Sequence, residues 1–410
     1  MSALNEIAEP YVMLVLAMGL HDADYVDAFY GPPQWRADVE AARRPLDAID
    51  LEAAALLRSL DTMRPDAEAE PLVRLRHGYL TRQLEALRAR VGMLQGRTLS
   101  FDLESKALYD AVAPHADLAS FERAIKELGD SLPGQGSVLD RFDAFRSQFI
   151  IPRERLDATF QAAIAAGRQR TLEHIALPPG ERFTVEYVTD KSWSGYNWYQ
   201  GEYRSLIQMN TDLPIFVDRA IDLACHEGYP GHHVYNALLE KHLVRDRGWV
   251  EFSVYALFSP QSLIAEGTAN FGIDVAFPRA ERIELERLVI FPAAGLDGAR
   301  AEEYEDVLAL ADRLSYAGNE AARRLIDGEI DRETAAEWLE RYALYSPTRA
   351  RQRVRFIEQY RSYVINYNLG KDMVRRYIEG CGGTASDPAR RWQLFEDLLS
   401  SPRWPSSLVS

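Results

Sequence analysis

The chain has 410 residues, with 47 Lys and Arg against 62 Asp and Glu, which gives a formal net charge of −15. Hydrophobic residues make up 47% and charged residues 27%, a balance typical of a folded globular protein that excludes disorder over most of the chain. The acidic excess argues against nucleic-acid partners, because proteins that bind nucleic acid present basic surfaces to the phosphates.

The first apolar segment, residues 11–20, is about ten residues long and therefore too short to cross a bilayer. Glu6 and Glu9 precede it and no Lys or Arg occurs before Arg36, the reverse of the basic start of a signal peptide. We expect a buried helix here and no membrane partner. Because the chain has only two cysteines, we also expect a reducing, cytoplasmic location.

Residues up to about 177 follow a mostly helical pattern. Apolar side chains recur three and four positions apart in three stretches, at residues 72–94, 121–128 and 142–165. Helix breakers separate these stretches, and the last of them is the Pro178-Pro179-Gly180 segment. Since a domain has roughly 100–200 residues, we predict an N-terminal helical part at 1–178 and a metal-binding catalytic part at 179–410, packed as one integrated unit.

Two short segments with alternating polarity follow the breaker. Apolar side chains alternate with polar ones at residues 183–187 and 205–209, which predicts two strands. The glycine-rich segment between them, at 195–201, is predicted to be a turn region. From Pro214 the helical period resumes and continues to about Phe395. The predicted fold class is mainly α, with a small β-hairpin or sheet.

The segment from His226 to His233 reads HEGYPGHH and contains three of the eight histidines in the chain. Imidazole and carboxylate groups are the natural zinc ligands in a protein with few cysteines. In an HExxH zinc site the two histidines lie one helical turn apart, so both face the metal from one continuous helix. Here Pro230 occupies the position of the second histidine and interrupts the helix.

This proline predicts two helices rather than one. The first is expected at about 215–228, and the second begins at Pro230, because proline is well placed in a first helical turn. The short break would let His232 turn back toward His226. His233 is the alternative ligand, or else a residue that supports a ligand or faces the substrate.

A third ligand would come from a neighbouring helix. Glu266 begins the segment EGTA and lies in a helical stretch that follows Pro260. Its spacing from the first segment matches zinc peptidases that use two histidines and a downstream glutamate. We therefore predict one zinc ion per chain, held by His226, His232 and Glu266, with a fourth position open to water if the site is catalytic.

Zinc chemistry assigns roles to further residues. Because zinc lowers the pKa of bound water to about 7 and polarises a carbonyl, Glu227 is the expected general base. The developing oxyanion needs a hydrogen-bond donor, and four aromatic residues are spaced as on one helix face: Phe356, Tyr360, Tyr363 and Tyr367. Tyr367 is the first candidate and Tyr363 the second, while a purely packing role for these rings is the alternative.

Two kinds of supporting residue are also expected. Ligating groups need hydrogen-bond partners of their own, and Asp222 and Asn270 lie one helical turn from His226 and Glu266. Guanidinium groups bind substrate carboxylates, and arginines alternate along one segment: Arg349, Arg351, Arg353 and Arg355. We expect most of these to be solvated or paired, and we keep Arg355 and Arg361 as candidates.

The two motifs together resemble the bacterial domain-of-unknown-function family 885. Its members carry HExxPGHH and a downstream EGWA-type motif, and they are regarded as gluzincin-like metallopeptidases, distantly similar to the helical carboxypeptidase Taq and thimet oligopeptidase group. Residues 24–32 and 367–370 extend the resemblance over most of the chain. It implies a large helical zinc-metallopeptidase-like fold, with the sheet beside the active-site helix.

Residue by residue, the resemblance implies His226, His232 and Glu266 as metal ligands and Glu227 as the base. The chain departs from the family pattern at two places. Thr268 stands where tryptophan is common, which puts the pocket shape in doubt. Residues 361–363 read RSY where many members have Pro-Gly-Gln before the tyrosine, which leaves the transition-state donors open.

The predicted function is zinc-dependent hydrolysis, by a metallopeptidase that cleaves short peptides. The same site chemistry applies to a non-peptide ester, lactone or amide, so another small-molecule substrate is the first alternative. The second alternative is a non-catalytic helical protein with a structural zinc, in which His233 joins the other three ligands and closes the site to water. The oligomeric state is left open.

Overall fold

The computed structural model describes residues 4–409, and 66% of it is helical, which confirms the mainly α prediction. The α-helices are α1 (Asn5–Met18), α2 (Pro33–Ala42), α3 (Leu46–Thr62), α4 (Pro71–Leu94), α5 (Phe101–Tyr109), α6 (Leu118–Ser131), α7 (Val138–Ser147), α8 (Leu156–Leu172), α9 (Asp218–Leu223), α10 (His232–Leu239), α11 (Pro260–Ala276), α12 (Arg279–Leu285), α13 (Phe291–Ala294), α14 (Ala301–Asp312), α15 (Ala317–Ile326), α16 (Arg332–Tyr342), α17 (Pro347–Tyr360), α18 (Ile365–Gly380) and α19 (Pro388–Leu399). The strands are β1 (Val26–Phe29), β2 (Arg182–Val188), β3 (Gly195–Gly201), β4 (Arg204–Asn210) and β5 (Val254–Ala256).

Long periodic segments form the helices that their spacing predicts. The buried N-terminal segment is α1, and the stretch at 72–94 is α4, which starts at Pro71. The stretch at 142–165 is helical as its period predicts, and it is divided between two helices, α7 and α8. Between them Ile151 donates a backbone hydrogen bond to Ile215, and Pro152 prevents a helix from continuing through the segment.

A three-stranded sheet with the order β2-β4-β3 follows α8. Strands β2 and β4, the two predicted strands, pair in parallel, and β3 pairs antiparallel with β4. The turn predicted at 195–201 is therefore wrong, since that segment is β3. Its glycine and asparagine content hides an alternating burial in which Asn197, Tyr199 and Gly201 face the protein interior.

The HEGYPGHH segment interrupts a helix as predicted, but by a different route. After α9, residues Ala224–Gly228 form one π-helical turn, and α10 begins at His232 rather than at the predicted Pro230. The reason is Gly231, whose backbone is not helical and lies against the carbonyl oxygen of His226. A Cβ at this position would overlap that oxygen, so the close approach requires glycine.

Helices α11 and α18 pack backbone against backbone. A Cβ on Gly267 would lie 2.6 Å from the carbonyl carbon of Gly370, and one on Gly370 would lie 2.8 Å from the carbonyl oxygen of Leu263. Only glycine allows helix axes to come this close. The contact brings Glu266 on α11 beside Tyr363, which lies in the 3-10 turn just before α18.

Strand β1 connects the N-terminal helices to the second half of the chain. Residues Val26–Phe29 pair antiparallel with Val254–Ala256, and this pairing places Asp27 next to the helices that follow the sheet. The predicted division at residue 178 stays a prediction. No helix within residues 4–409 is both long enough and apolar enough to cross a membrane.

Candidate metal centre

Three predicted ligands converge on one point. The Nε2 atoms of His226 and His232 lie 3.1 Å apart, and Oε2 of Glu266 lies 3.2 Å from the first and 3.7 Å from the second. His226 comes from the π-helical turn, His232 from the first residue of α10 and Glu266 from α11. The sequence prediction therefore names three residues that the fold does bring together.

The arrangement of these atoms fits a zinc ion. Tetrahedral zinc with ligands at about 2.0–2.1 Å holds its ligand atoms roughly 3.3 Å from one another, close to the spacings found here. Oε2 of Glu266 is buried and, within the described part of the chain, has no hydrogen-bond partner. A buried carboxylate oxygen without a partner lowers the stability of the fold, and a cation bound at this position would offset that loss.

The ligands strongly influence one another's charge. Burial alone would raise the pKa of Glu266, but the imidazoles of His226 and His232 outweigh burial and hold that pKa well below its usual range. Burial would lower the pKa of His232, and the Glu266 carboxylate reverses this effect and raises the pKa to about 9. The three groups therefore form one electrostatic unit.

Tyr363 is tied to this unit. Its hydroxyl donates a 2.7 Å hydrogen bond to Oε1 of Glu266, which leaves Oε2 turned toward the two histidines. Sequence reasoning considers Tyr363 as a donor to the oxyanion. The structure shows it hydrogen-bonded to the carboxylate of Glu266, a contact that no local spacing signal indicates.

Glu227 follows His226 and is buried beside strand β3. A Cβ on Gly195 would lie 2.8 Å from Oε1 of Glu227, so the carboxylate packs directly against the glycine backbone. Asn197 donates a 2.7 Å hydrogen bond to the backbone oxygen of Glu227. Burial raises the pKa of the carboxyl group, and the two histidines offset this effect only in part. Strand β3 therefore fixes the carboxylate predicted to be the base.

His233 is not brought to the other two histidines. Its Nδ1 lies 2.8 Å from Oγ of Ser205, and its Nε2 lies 3.0 Å from Oε2 of Glu181. Neighbouring residues on a helix point about 100° apart, so His233 turns toward the sheet when His232 faces the ligands. Burial lowers the pKa of His233, and the residue fastens α10 to β4.

Tyr367 faces the same cavity as the ligands. The cavity has a volume of about 990 Å³, and Tyr367 lines it together with Glu227 and the three ligands. The ring of Tyr367 lies 5.8 Å from that of Tyr363, centroid to centroid. Burial and the charge of Glu266 raise the pKa of Tyr367, so its hydroxyl keeps its proton and remains a donor.

The two expected hydrogen-bond supports act elsewhere. Asn270 donates to the backbone oxygens of Glu266, at 3.0 Å, and Tyr367, at 3.4 Å, so it joins α11 to α18 rather than contacting the ligand carboxylate. Asp222 accepts a 2.9 Å hydrogen bond from Arg282 and a 3.3 Å one from Arg219. These arginines occupy its carboxylate, and the structure does not bring it to His226.

The two candidate arginines lie outside the cavity. Arg355 is exposed on α17. Arg361 donates its Nε–H to Oε2 of Glu104 at 2.7 Å. Alternating positions on a helix point in different directions. The cavity is lined instead by Arg349 and Arg353, two of the three arginines of this segment that were not kept as candidates.

Sequence reasoning misses an acidic residue close to the ligands. Asp27 in β1 lines the cavity, and burial raises its pKa to about 6 although the hydroxyl of Tyr196 donates a hydrogen bond to it. Tyr196 belongs to β3, 169 residues further along the chain. The only sequence signal is that residues 24–32 belong to the segment that carries the family resemblance.

Comparisons with known proteins show a similarity of fold only. No family model matches this chain, and no curated protein does either. A solved structure from Colwellia psychrerythraea, described as a candidate lipoprotein, matches 91% of this chain and 70% of its own at 15% identity, with a TM-score of 0.57. The M32 carboxypeptidase from Deinococcus radiodurans R1 matches over 98% and 92% at 12% identity, with a TM-score of 0.54. This chain therefore has the helical fold of an M32 carboxypeptidase.

Proposed function

We propose that the protein is a zinc-dependent hydrolase, specifically a metallopeptidase that cleaves short peptides. The observation that carries this proposal is the convergence of His226, His232 and Glu266 within 3.7 Å, beside the buried carboxylate of Glu227. The fold shared with an M32 carboxypeptidase supports it. The resemblance of the two motifs to the family named above also supports it.

Each residue has a defined part in this proposal. The two histidines and Glu266 hold the metal, and zinc when bound supplies a Lewis acid that polarises a carbonyl and lowers the pKa of water. Glu227 accepts a proton from the attacking water and returns it to the leaving nitrogen. Tyr367 donates its hydroxyl proton in a hydrogen bond to the developing oxyanion, and Tyr363 keeps Glu266 oriented.

The metal is tested by elemental mass spectrometry on the wild type and on Glu266→Ala, purified in parallel without chelator. We expect about one zinc per chain in the wild type and loss of zinc in the variant. Glu302→Ala, an exposed glutamate on α14, is the control and should keep its zinc. A wild type that binds no zinc even when zinc is supplied would overturn the proposal.

The base is tested with Glu227→Gln. This change keeps the shape of the side chain and removes its ability to accept a proton. We expect unchanged zinc content and turnover reduced by about 10²–10⁴-fold. Wild-type turnover in this variant would remove Glu227 from the mechanism.

The reaction class is tested with a panel of short peptides, esters, lactones and acylated amines. A polarised carbonyl is common to all of them, so the metal ligands do not select among them. We expect peptides to be the substrates, and turnover confined to the other compounds would replace the peptidase proposal with its first alternative. The cytoplasmic location stays a prediction, which cell fractionation tests.

A further inference from the structure

One wall of the cavity is basic although the protein is acidic. Four arginines from three helices line this wall: Arg146, Arg219, Arg349 and Arg353. The first two have carboxylate partners, since Arg146 lies 3.2 Å from Asp218 and Arg219 lies 3.3 Å from Asp222. Arg349 and Arg353 form no ion pair within residues 4–409, and Nε of Arg353 is buried without a hydrogen-bond partner.

The two unpaired arginines lie on one face of α17. Arg349 and Arg353 are four positions apart, so their side chains lie one above the other. The guanidinium carbon of Arg349 is 4.4 Å from the ring centre of Tyr345, and that of Arg353 is 4.7 Å from the ring centre of Phe356. Each guanidinium group lies over the face of an aromatic ring, and this stacking leaves its N–H groups free to bind a ligand.

This basic wall adjoins the metal centre. The guanidinium carbon of Arg353 is 5.8 Å from the ring centre of Tyr367. The Tyr367 ring in turn packs 5.8 Å from that of Tyr363, whose hydroxyl binds Glu266. A group bound by Arg353 therefore lies in the same cavity as the scissile bond, and Arg349 lies one helical turn away from Arg353.

The electrostatic potential of the wall is positive. Burial would raise the pKa of Tyr345, yet its pKa is lowered, because the guanidinium groups of Arg349 and Arg353 outweigh burial, with help from Arg219 and Arg146. A partly buried guanidinium without a counter-ion destabilises the folded protein, because its charge has lost water and gained no partner. A bound anion would offset this loss of free energy. The planar guanidinium fork matches the geometry of a carboxylate.

We infer that Arg349 and Arg353 bind a carboxylate group of the substrate and thereby restrict the hydrolase to substrates with a negative charge near the scissile bond. This inference rests on the proposed function for its substrate. Two sources supply the same chemistry: the terminal carboxylate of a peptide, or an aspartate or glutamate side chain within it. An extended residue spans about 3.3–3.6 Å, so the charge lies within a few residues of the cleaved bond.

The test measures binding and does not depend on turnover. Three probes are titrated calorimetrically into the full-length protein, both zinc-loaded and chelator-treated: N-acetylphenylalanine, its neutral amide, and N-acetylglutamic acid α-amide. We expect at least one acid to bind about ten-fold or more tightly than the neutral amide in both forms of the protein. Preference for the first acid identifies the terminal carboxylate as the source, and preference for the glutamyl amide identifies a side chain.

Variants on the same helix locate the site. We expect Arg349→Gln and Arg353→Gln each to weaken binding of the acid by about ten-fold, because each removes a charge-assisted hydrogen bond. Arg351→Gln is the matched control, since Arg351 is exposed on the same helix between them. Arg353→Lys keeps the charge but loses the planar fork, so we expect intermediate binding from it even if Arg353→Gln fails to fold.

The outcomes separate this inference from the proposed function. Equal binding of acid and neutral amide, or acid binding that neither Arg349→Gln nor Arg353→Gln weakens, would overturn the inference and leave the hydrolase proposal standing. Binding that depends on these arginines, in a protein that hydrolyses none of the substrates tested, would uphold the carboxylate site and reject the hydrolase.

Discussion

Replacing Gly267 with alanine tests whether the contact between α11 and α18 builds the metal site. The added Cβ would lie 2.6 Å from both the carbonyl carbon and the carbonyl oxygen of Gly370, and 3.0 Å from its Cα. All three atoms are backbone, so no side chain can rotate away. Ordinary contact begins at 3.4 Å, and the two helices would have to separate by about 0.8 Å.

The expected change in the free energy of unfolding follows from two opposing effects. Overpacking of this kind costs about 1–3 kcal/mol of folding free energy. Alanine in place of glycine in a helix returns up to about 1 kcal/mol. Taking about 2 kcal/mol, the middle of the first range, we expect Gly267→Ala to lower the free energy of unfolding by about 1–2 kcal/mol. Because Glu266 is the adjacent residue, the same movement should draw its carboxylate away from the histidines and weaken zinc binding.

Urea unfolding followed by circular dichroism measures the first effect, and competition with a chromophoric chelator measures the second. Gly380→Ala is the control on α18, because a Cβ there meets nothing within 4 Å and Gly380 is exposed. This variant should have unchanged zinc affinity and equal or slightly higher stability. If Gly267→Ala matched the wild type in both stability and zinc affinity, the close approach of the helices would not be what positions Glu266.

Four further predictions concern other contacts. Tyr363→Phe removes the 2.7 Å hydrogen bond to Glu266 and should weaken zinc binding by about 10–100-fold in the same chelator competition; unchanged affinity would exclude the orienting role. Gly195→Ala should push the Glu227 carboxylate aside and lower kcat at constant zinc content, whereas wild-type kcat would show that this carboxylate need not lie against β3. Burial raises the pKa of Glu286 to about 9 from an ordinary value of 4.5, so the folded protein retains a proton that the unfolded chain releases. Stability from this group is complete below about pH 4.5 and falls as pH rises to about 9, by up to about 1.4 kcal/mol per unit; urea titrations should give a smaller slope for Glu286→Gln, and equal slopes would contradict the shift. Removing zinc with EDTA should lower the free energy of unfolding by about 2.7 kcal/mol relative to protein at a free zinc concentration 100 times Kd, and no change would mean that zinc does not bind the folded state preferentially.

The three residues that converge at the candidate metal centre were predictable because their signal is local. The HEGYPGHH segment and the downstream EGTA segment contain His226, His232 and Glu266 at a spacing that predicts zinc ligands, and the fold brings these three residues together. The same holds for α4, whose apolar period spans 24 residues. The backbone conformation between His226 and His232 was only partly predictable, since the π-helical turn and the start of α10 depend on Gly231 fitting against His226.

The remaining features depend on contacts between distant parts of the chain. Asp27 looks like an ordinary polar strand residue until β1 pairs with β5 and Tyr196 reaches it. Strand β3 was missed because a segment rich in glycine and asparagine has the composition of a turn, and its pairing with β4 decides the outcome. Arg353 and Arg355 have the same local pattern, and only the packing of α17 determines that the former faces the cavity.

The distance along the chain between residues that line the cavity also sets when the cavity can be completed during synthesis. Asp27 and Tyr367 line one cavity although 340 residues separate them in the chain, from position 27 to position 367. At roughly 5–20 residues per second, a ribosome needs about 17–70 seconds to make that interval. Throughout this time the N-terminal helices are present without α18, and the cavity lacks one of its walls. The cavity of a nascent chain therefore stays incomplete until the ribosome has made α18.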